Sequence, residues 1–391
     1  MITALKLAYK NLVGAGLRTW LNVFVLSFVY VIIVWHYGLL DGWNRQAKKD
    51  TTAWETGNGQ YWHKAYDPYD PFTLFDSHGA IPASLDDGIR QGLLMPLLIS
   101  QATIYPEGRI QGVILKGIDP AQQILQIPSA LLKNQDETIP VIIGTRMASS
   151  TGLKKGDQVT VRWRDTHGTF DAADAHVVGI FRTNVPSVDQ GQLWIPIERL
   201  RRMKQMPGEA TLLVRSERCS EVIVENDWIF RSSGYLLSDI QQTIQSKSAG
   251  ASIFYIILMM LAMLAVFDTQ VLSIFRRQRE IGTYIALGMT RGQVVGLFTT
   301  EGTMHAILAA ILGAAYGIPL LSVQAINGLA LPEGMDAYGM AIAEKIYPAY
   351  SLGLILTTVL IVWITTTIVS YLPSRKISKM NPTDAIKGKI Q

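Results

Sequence analysis

Four apolar stretches, residues 20–40, 251–275, 294–323 and 352–372, constrain this chain more than any other feature. Each reaches or exceeds the ~20 residues a helix needs to cross a hydrocarbon core of ~30 Å. No water serves the backbone there, so every N–H and C=O must be paired within the segment, and a helix does this. The first stretch is too long for the apolar part of a signal peptide. Tyr37-Gly38-Leu39-Leu40-Asp41 also lacks a small-x-small cleavage site, so the stretch reads as a retained anchor. The expected order is a stub and first span (1–40), a soluble insert (41–248), a second span (249–275), a short link (276–293), a third span (294–323), a loop (324–350), a fourth span (351–372) and a tail (373–391).

Basic residues at the span ends give the orientation. The stub carries Lys6, Lys10 and Arg18; the link carries Arg276, Arg277, Arg279 and Arg291 against Glu280; the tail carries Arg375, Lys376, Lys379, Lys387 and Lys389 against Asp384. Their net charges of +3, +3 and +4 exceed the chain total of +4, so the remainder is acidic. Both termini and the link are therefore expected in the cytoplasm, and the insert outside it. Topology explains the basic excess, which is not a nucleic-acid footprint. The single cysteine, Cys219, rules out an internal disulfide framework.

The insert, about 200 residues, is long enough for one or two domains. Its ends, 43–56 and 238–248, are polar with few breakers and are expected to extend the flanking spans as helical stalks. Between them, runs at 99–105, 111–117, 141–143, 158–163, 177–182, 192–195 and 211–215 have strand character, and 146–151 has that of a helical turn. Pro106-Glu107-Gly108-Arg109 marks a hairpin. The expected fold class is a membrane protein of four transmembrane α-helices with a large α/β extracytoplasmic domain inserted between helices 1 and 2, built of small sheets with helices on one side. Residues 57–82 form an aromatic stretch with two Asp-Pro steps, expected to be an ordered irregular loop. His63, Asp67, Asp70, Asp76 and His78 within it match no established ligand spacing, so no metal site is assigned. Loop 324–350 is broken by Pro332-Glu333-Gly334 and is too short to be a domain.

No G-x-x-x-x-G-K-[ST], H-E-x-x-H or G-x-S-x-G occurs, so no catalytic residue or cofactor is assigned to this chain, and any work it does draws on a partner's energy. The link is richer than an orientation signal requires. Ile281, Ile285, Leu287 and Met289 recur at helical spacing among charges, and Gly288 interrupts before the third span. Such a helix could lie at the membrane interface or dock on a cytoplasmic partner. The run Arg279-Glu280-Ile281-Gly282, then Ala286-Leu287-Gly288, Arg291 and Val294 resembles the cytoplasmic coupling segment of the FtsX-like permeases, which include the lipoprotein-releasing Lol permeases and the MacB-type exporters. The ending Leu372-Pro373-Ser374-Arg375-Lys376 with Asn381-Pro382-Thr383-Asp384-Ala385-Ile386 is similar to theirs. Within the insert, Ile142-Ile143-Gly144-Thr145-Arg146-Met147-Ala148, Leu153-Lys154-Lys155-Gly156-Asp157-Gln158-Val159 and Gly117-Ile118-Asp119-Pro120 resemble their outer-domain signature.

The resemblance implies a bacterial inner-membrane permease subunit paired with a second permease, identical or related, and driven by a separate ABC ATPase that holds ATP and Mg. Arg279, Glu280, Ile281, Gly282, Ile285, Ala286, Leu287, Gly288 and Arg291 would form the ATPase-coupling segment. The Lol-like arrangement fits best, since these residues contain no fused nucleotide-binding domain and the insert is larger than in FtsX itself. The implied substrate is a lipoprotein or another amphipathic molecule moved toward the periplasm or outer membrane. The alternatives are a mechanotransmitter acting on a periplasmic cell-wall hydrolase, and a MacB-like exporter with a periplasmic adaptor.

Inside the spans, Asp268 and Glu301 are costly in hydrocarbon and are expected to form structural charge pairs near Arg276 and Arg277. His36 and His305 are expected to be packing or interfacial residues. Gly302, Ala306, Ala310 and Ala314 recur every four residues, with Ala309, Gly313 and Gly317 alongside. Such a face lets helix backbones approach closely, while Leu312 is expected on the opposite, lipid-facing side.

Overall fold

The computed structural model describes residues 17–133, 138–219, 221–330 and 345–379. Lys6, Lys10, most of loop 324–350 with its Pro332-Glu333-Gly334 break, and the tail from residue 380, with Lys387, Lys389 and 381–386, lie outside the described residues. The chain divides into two compact units. One comprises the described residues of Met1–Trp43, Thr243–Leu329 and Ile346–Gln391; the other has Asn44–Gln242 as its main body.

Among the described residues, the helices longer than a single turn are α1 (Leu17–Thr51), α2 (Ala83–Arg90), α3 (Thr145–Thr151), α4 (Ile197–Lys204), α5 (Ser238–Arg276), α6 (Gln278–Ala286), α7 (Arg291–Asn327) and α8 (Leu352–Ser374). Of these, α1, α5, α7 and α8 are long and apolar enough to cross a membrane. Both expected stalk segments are helical: α1 runs unbroken to Thr51 and continues as a π-helical turn to Thr56, while α5 begins at Ser238.

In the helical unit, α1 supplies Val23, Leu26, Tyr30 and Ile33, one face at helical spacing, against Tyr255, Ala262 and Met263 of α5, Ala306 and Ala309 of α7 and Val362 of α8. The small residues of α7 approach neighbouring helices along the first half of the four-residue row and then along the row beside it. Gly302, Ala306, Ala309, Gly313 and Gly317 are buried, whereas Ala310 is half-buried and Ala314 exposed. At 3.6 residues per turn, a strict four-residue repeat drifts around the helix, and the row at 309, 313 and 317 takes over the contact. A Cβ on Gly302 would meet Ser370 of α8 and stand 2.7 Å from Nε2 of Gln270 on α5; one on Gly317 would stand 2.8 Å from Val31 of α1. Leu312 is also not lipid-facing; it packs on the same core cluster. Gly302→Leu is therefore expected to cost about 1–3 kcal/mol through overpacking and to lower the yield of folded protein in detergent. Ile311→Leu, at a site 63% exposed, should leave that yield unchanged.

Sequence inspection did not single out Gly38 and Gly42 of α1. A Cβ on Gly38 would collide with the Tyr350 ring, and one on Gly42 would stand 2.9 Å from Cα of Pro348. Ala349 N–H donates to the Gly38 carbonyl at 2.8 Å. The two glycines form a notch that receives the segment leading into α8.

Among the described residues, the 44–242 unit has eleven strands: β1 (Gln60–His63), β2 (Gly79–Ala80), β3 (Leu94–Ile104), β4 (Gln111–Ile118), β5 (Ile139–Gly144), β6 (Gln158–Arg164), β7 (Phe170–Phe181), β8 (Gln192–Pro196), β9 (Glu209–Ala210), β10 (Leu212–Arg215) and β11 (Trp228–Arg231). Nine of them form one sheet in the order β11-β1-β10-β3-β4-β8-β5-β7-β6, rather than the expected small sheets. The long strand β3 produces this result. Along one edge it pairs first with β10 through residues 94–97, then with β6 through 102–104; its other edge pairs with β4. The contact with β6 closes β3, β4, β8, β5, β7 and β6 into a six-stranded barrel. Inward residues such as Val159, Val161 and Trp163 of β6 fill it, while Thr160 and Arg162 point out, the period-two alternation of a strand.

The outer-domain signature has a physical basis in this unit. At the β5–α3 junction, a Cβ on Gly144 would stand 2.6 Å from Cα of Asp189. Asp189 accepts from the Arg146 N–H at 2.9 Å and from Nη1 of Arg146 at 2.8 Å. Arg146 also donates to the Thr183 carbonyl at 2.9 Å. Within 57–82, Asp70 caps the 3-10 turn Pro71–Phe75, Asp67 accepts from Tyr69 N–H, and His78 pairs with Glu209. Asp67 and Asp70 stabilise their own loop, and His78 ties it to β9. Among the described residues no three metal-type side chains converge.

Candidate coupling site

The link between α5 and α7 is built around Arg277. Helix α5 ends at Arg276, Arg277 adopts a non-helical φ of −103°, and α6 restarts at Gln278. At its far end Gly288 takes φ +97°, a left-handed conformation open to glycine without strain. Thr290 then opens α7 with a capping box: its side chain accepts from Gln293 N–H, and the Gln293 side chain accepts from Thr290 N–H. Of these features, the interruption at Gly288 was legible in the sequence.

Arg277 joins three elements. Its Nε donates to Glu280 of α6 at 2.6 Å, and its Nη1 donates to both carboxylate oxygens of Glu301 on α7 at 2.9 and 2.8 Å. Its guanidinium lies over the Phe298 ring, 4.8 Å from the centroid. The Glu301 side chain is only 7% exposed, and Arg277 is its ion-pair partner. The expected charge pairing therefore holds for Glu301, through Arg277 and not Arg276. It does not hold for Asp268, which is exposed on α5 and has no ion pair among the described residues. His305 is buried and donates from Nδ1 to the Gly302 carbonyl, and His36 bonds Tyr255, both packing roles.

The apolar side of α6 faces its own bundle. Ile281 is fully buried with Ile274, Val294, Val295, Phe298 and Ile377, and Tyr284, Ile285 and Met289 pack on the same cluster. Gly282 is buried as well. The expectation that Ile281 and Ile285 present an apolar docking face is thus corrected: their spacing marks the stripe that holds α6 against α7. The outward side consists of Arg279, Glu280, Thr283, Ala286, Leu287 and Gly288, followed by Arg291. Leu287 is 78% exposed, an isolated apolar group on a charged rim. Arg277 thereby links this outward surface to α5 and α7.

Residues 252–382 match the FtsX-like permease C-terminal family, a range that contains α6, α7, α8 and most of α5. The chain is 22% identical over 352 residues to the lipoprotein-releasing system transmembrane protein LolC of Neisseria meningitidis serogroup B, covering 76% of this chain and 79% of that protein. It is 22% identical over 246 residues to LolC of Xylella fastidiosa, covering 58% of this chain and 59% of the relative. Over 151 residues it is 25% identical to the macrolide export ATP-binding/permease protein MacB of Burkholderia cenocepacia, covering 39% of this chain; the chain spans 20% of that relative's length.

Proposed function

We propose, with the FtsX-like permease domain of residues 252–382 as the premise, that this chain is the membrane subunit of an ABC transporter whose separate ATPase docks on α6. The observation that carries this reading is the exposed surface around Leu287, backed by a buried Arg277–Glu301 pair that ties the docking helix to α7. ATP and Mg belong to the partner ATPase. Its closure displaces α6, and Arg277 passes that displacement to α5 and α7 together.

In this reading the chain lies in the bacterial inner membrane with both termini cytoplasmic, residues 41–248 on the periplasmic side and a second permease subunit beside it. The substrate class, lipoproteins or other amphipathic molecules, follows the name of the LolC relatives, which align along most of this chain. Orientation is tested with a cysteine introduced at His167 in a Cys219→Ser background, since His167 is exposed between β6 and β7. An impermeant thiol reagent should label it from outside intact cells stripped of the outer membrane. Labelling confined to inverted vesicles would reverse the topology.

The docking surface is tested by Leu287→Asp. Leu287 is exposed in the free chain, so the variant should insert and fold normally. A charge buried at the contact should weaken ATPase binding by roughly 2 kcal/mol, or roughly thirtyfold. Co-purification of the ATPase and substrate-stimulated ATP hydrolysis at unchanged levels would remove α6 from the coupling contact.

A further inference from the structure

A cavity of about 830 Å³ opens in the 44–242 unit. Lys48 and Lys49 near the end of α1, Asn58, Gln122, and Arg215 and Arg218 all contribute to its wall. Arg215 sets the site apart. It is 8% exposed, its guanidinium lies over Phe230 with 5.3 Å to the ring centroid, and its Nε and Nη2 both donate to the Cys219 carbonyl. Among the described residues it has no carboxylate partner. Arg201, buried to a similar degree in the same unit, holds Glu198 at 2.6 Å.

A guanidinium does not shed its proton inside a protein, and a buried charge without a counter-charge is costly. The wall deepens the imbalance, because its four cations face only Asp119 and Glu217. Asp119 is already engaged, accepting from Ala121 N–H at 2.8 Å. An anion in the cavity would supply the missing charge. A phosphate group suits it, presenting several acceptor oxygens at once to a guanidinium fork, ammonium groups and side-chain amides. A lone carboxylate offers these donors fewer acceptor oxygens.

We propose that this cavity binds a phosphate-bearing ligand, held by Arg215 with Arg218 and Lys48. The site does not depend on the permease reading, and either a phospholipid headgroup or a soluble phosphate ester has the required chemistry. The full chain carries one cysteine, Cys219, whose carbonyl bonds Arg215, so a fluorophore on its thiol reports on the site. In maltoside micelles the labelled chain is titrated with glycerol 1-phosphate, with dioctanoyl phosphatidylglycerol and with uncharged dioctanoylglycerol. A saturable response to glycerol 1-phosphate alone assigns a soluble ester. A response to the phospholipid, with or without the ester, assigns a headgroup. The paired change Lys48→Gln and Arg218→Gln, both outside the core, should weaken binding roughly tenfold, and Arg215→Met should abolish it. Absence of saturation with either phosphate compound, an equal response to dioctanoylglycerol, or unchanged affinity in the Lys48→Gln, Arg218→Gln variant would overturn the proposal.

Discussion

Arg277→Leu is expected to destabilise the helical unit by about 3–5 kcal/mol and to remove most of the folded protein recovered in detergent. The change takes the Arg277 cation away from Glu301, whose side chain is 7% exposed and draws both of its Arg277 contacts from a single nitrogen. Loss of the Glu280 contact matters much less, because that side chain is 54% exposed and water replaces the guanidinium. The paired change Arg277→Leu with Glu301→Leu should recover much of the loss, since exchanging a buried ion pair for apolar side chains is often neutral or stabilising. Thermal unfolding in detergent, followed by size-exclusion yield, compares the single and paired variants. A paired variant no more stable than Arg277→Leu would show that the penalty does not arise from the carboxylate left without Arg277.

The second large effect is expected at Arg146→Met in the barrel unit, again about 3–5 kcal/mol near neutral pH. The Asp189 side chain is 1% exposed and Arg146 is its ion-pair partner. Burial pushes the Asp189 carboxyl above its ordinary range, while its hydrogen bonds and charge contact with Arg146 pull it back. For a carboxyl raised in the folded state, the native structure binds the proton more tightly than the unfolded chain does. Its contribution is fully present below the unfolded value of about 3.9 and is lost as pH rises through the folded value. Removing the Arg146 side chain takes away its charge contact and side-chain hydrogen bond while the backbone N–H bonds from residues 146 and 147 remain, so the deficit should be smallest in acid and widen toward neutrality. Melting temperatures measured for both proteins across that range give the test. A gap that is constant with pH would mean that lost packing, and not a stranded charge, dominates.

The spans were legible because burial in lipid makes an unmistakable demand on sequence: an unbroken apolar run of a set length. The strands of the barrel were largely legible too, from short β-branched runs ended by turn residues. Closure was not, because it depends on which edge of β3 meets β6, and nothing in the alternation of Val159, Val161 and Trp163 names a partner strand. β1 and β11 escaped notice, as did the polar first half of β7, whose Asp171, Ala172 and Ala173 lack strand character. The coupling helix shows a similar limit. An apolar stripe at Ile281 and Ile285 says that one face is buried but not against what, and here the answer is the chain's own α7. Glu301 found its cation as an intramembrane acid should, while the same rule applied to Asp268 met no ion-pair partner among the described residues. The Gly38–Gly42 notch gave only a weak signal, two glycines in a helix otherwise crowded with large residues.

Closure of the barrel also bears on what happens when two such chains stand side by side. A sheet with open edges can exchange strands with a neighbour, and confinement to a membrane raises the local concentration that favours exchange. Apart from β11, every strand of the large sheet is flanked on both sides. That remaining edge is four residues long and ends in Arg231, a short charged border that discourages pairing. Copies crowded together can therefore meet and part through their side chains, without their folds becoming entangled.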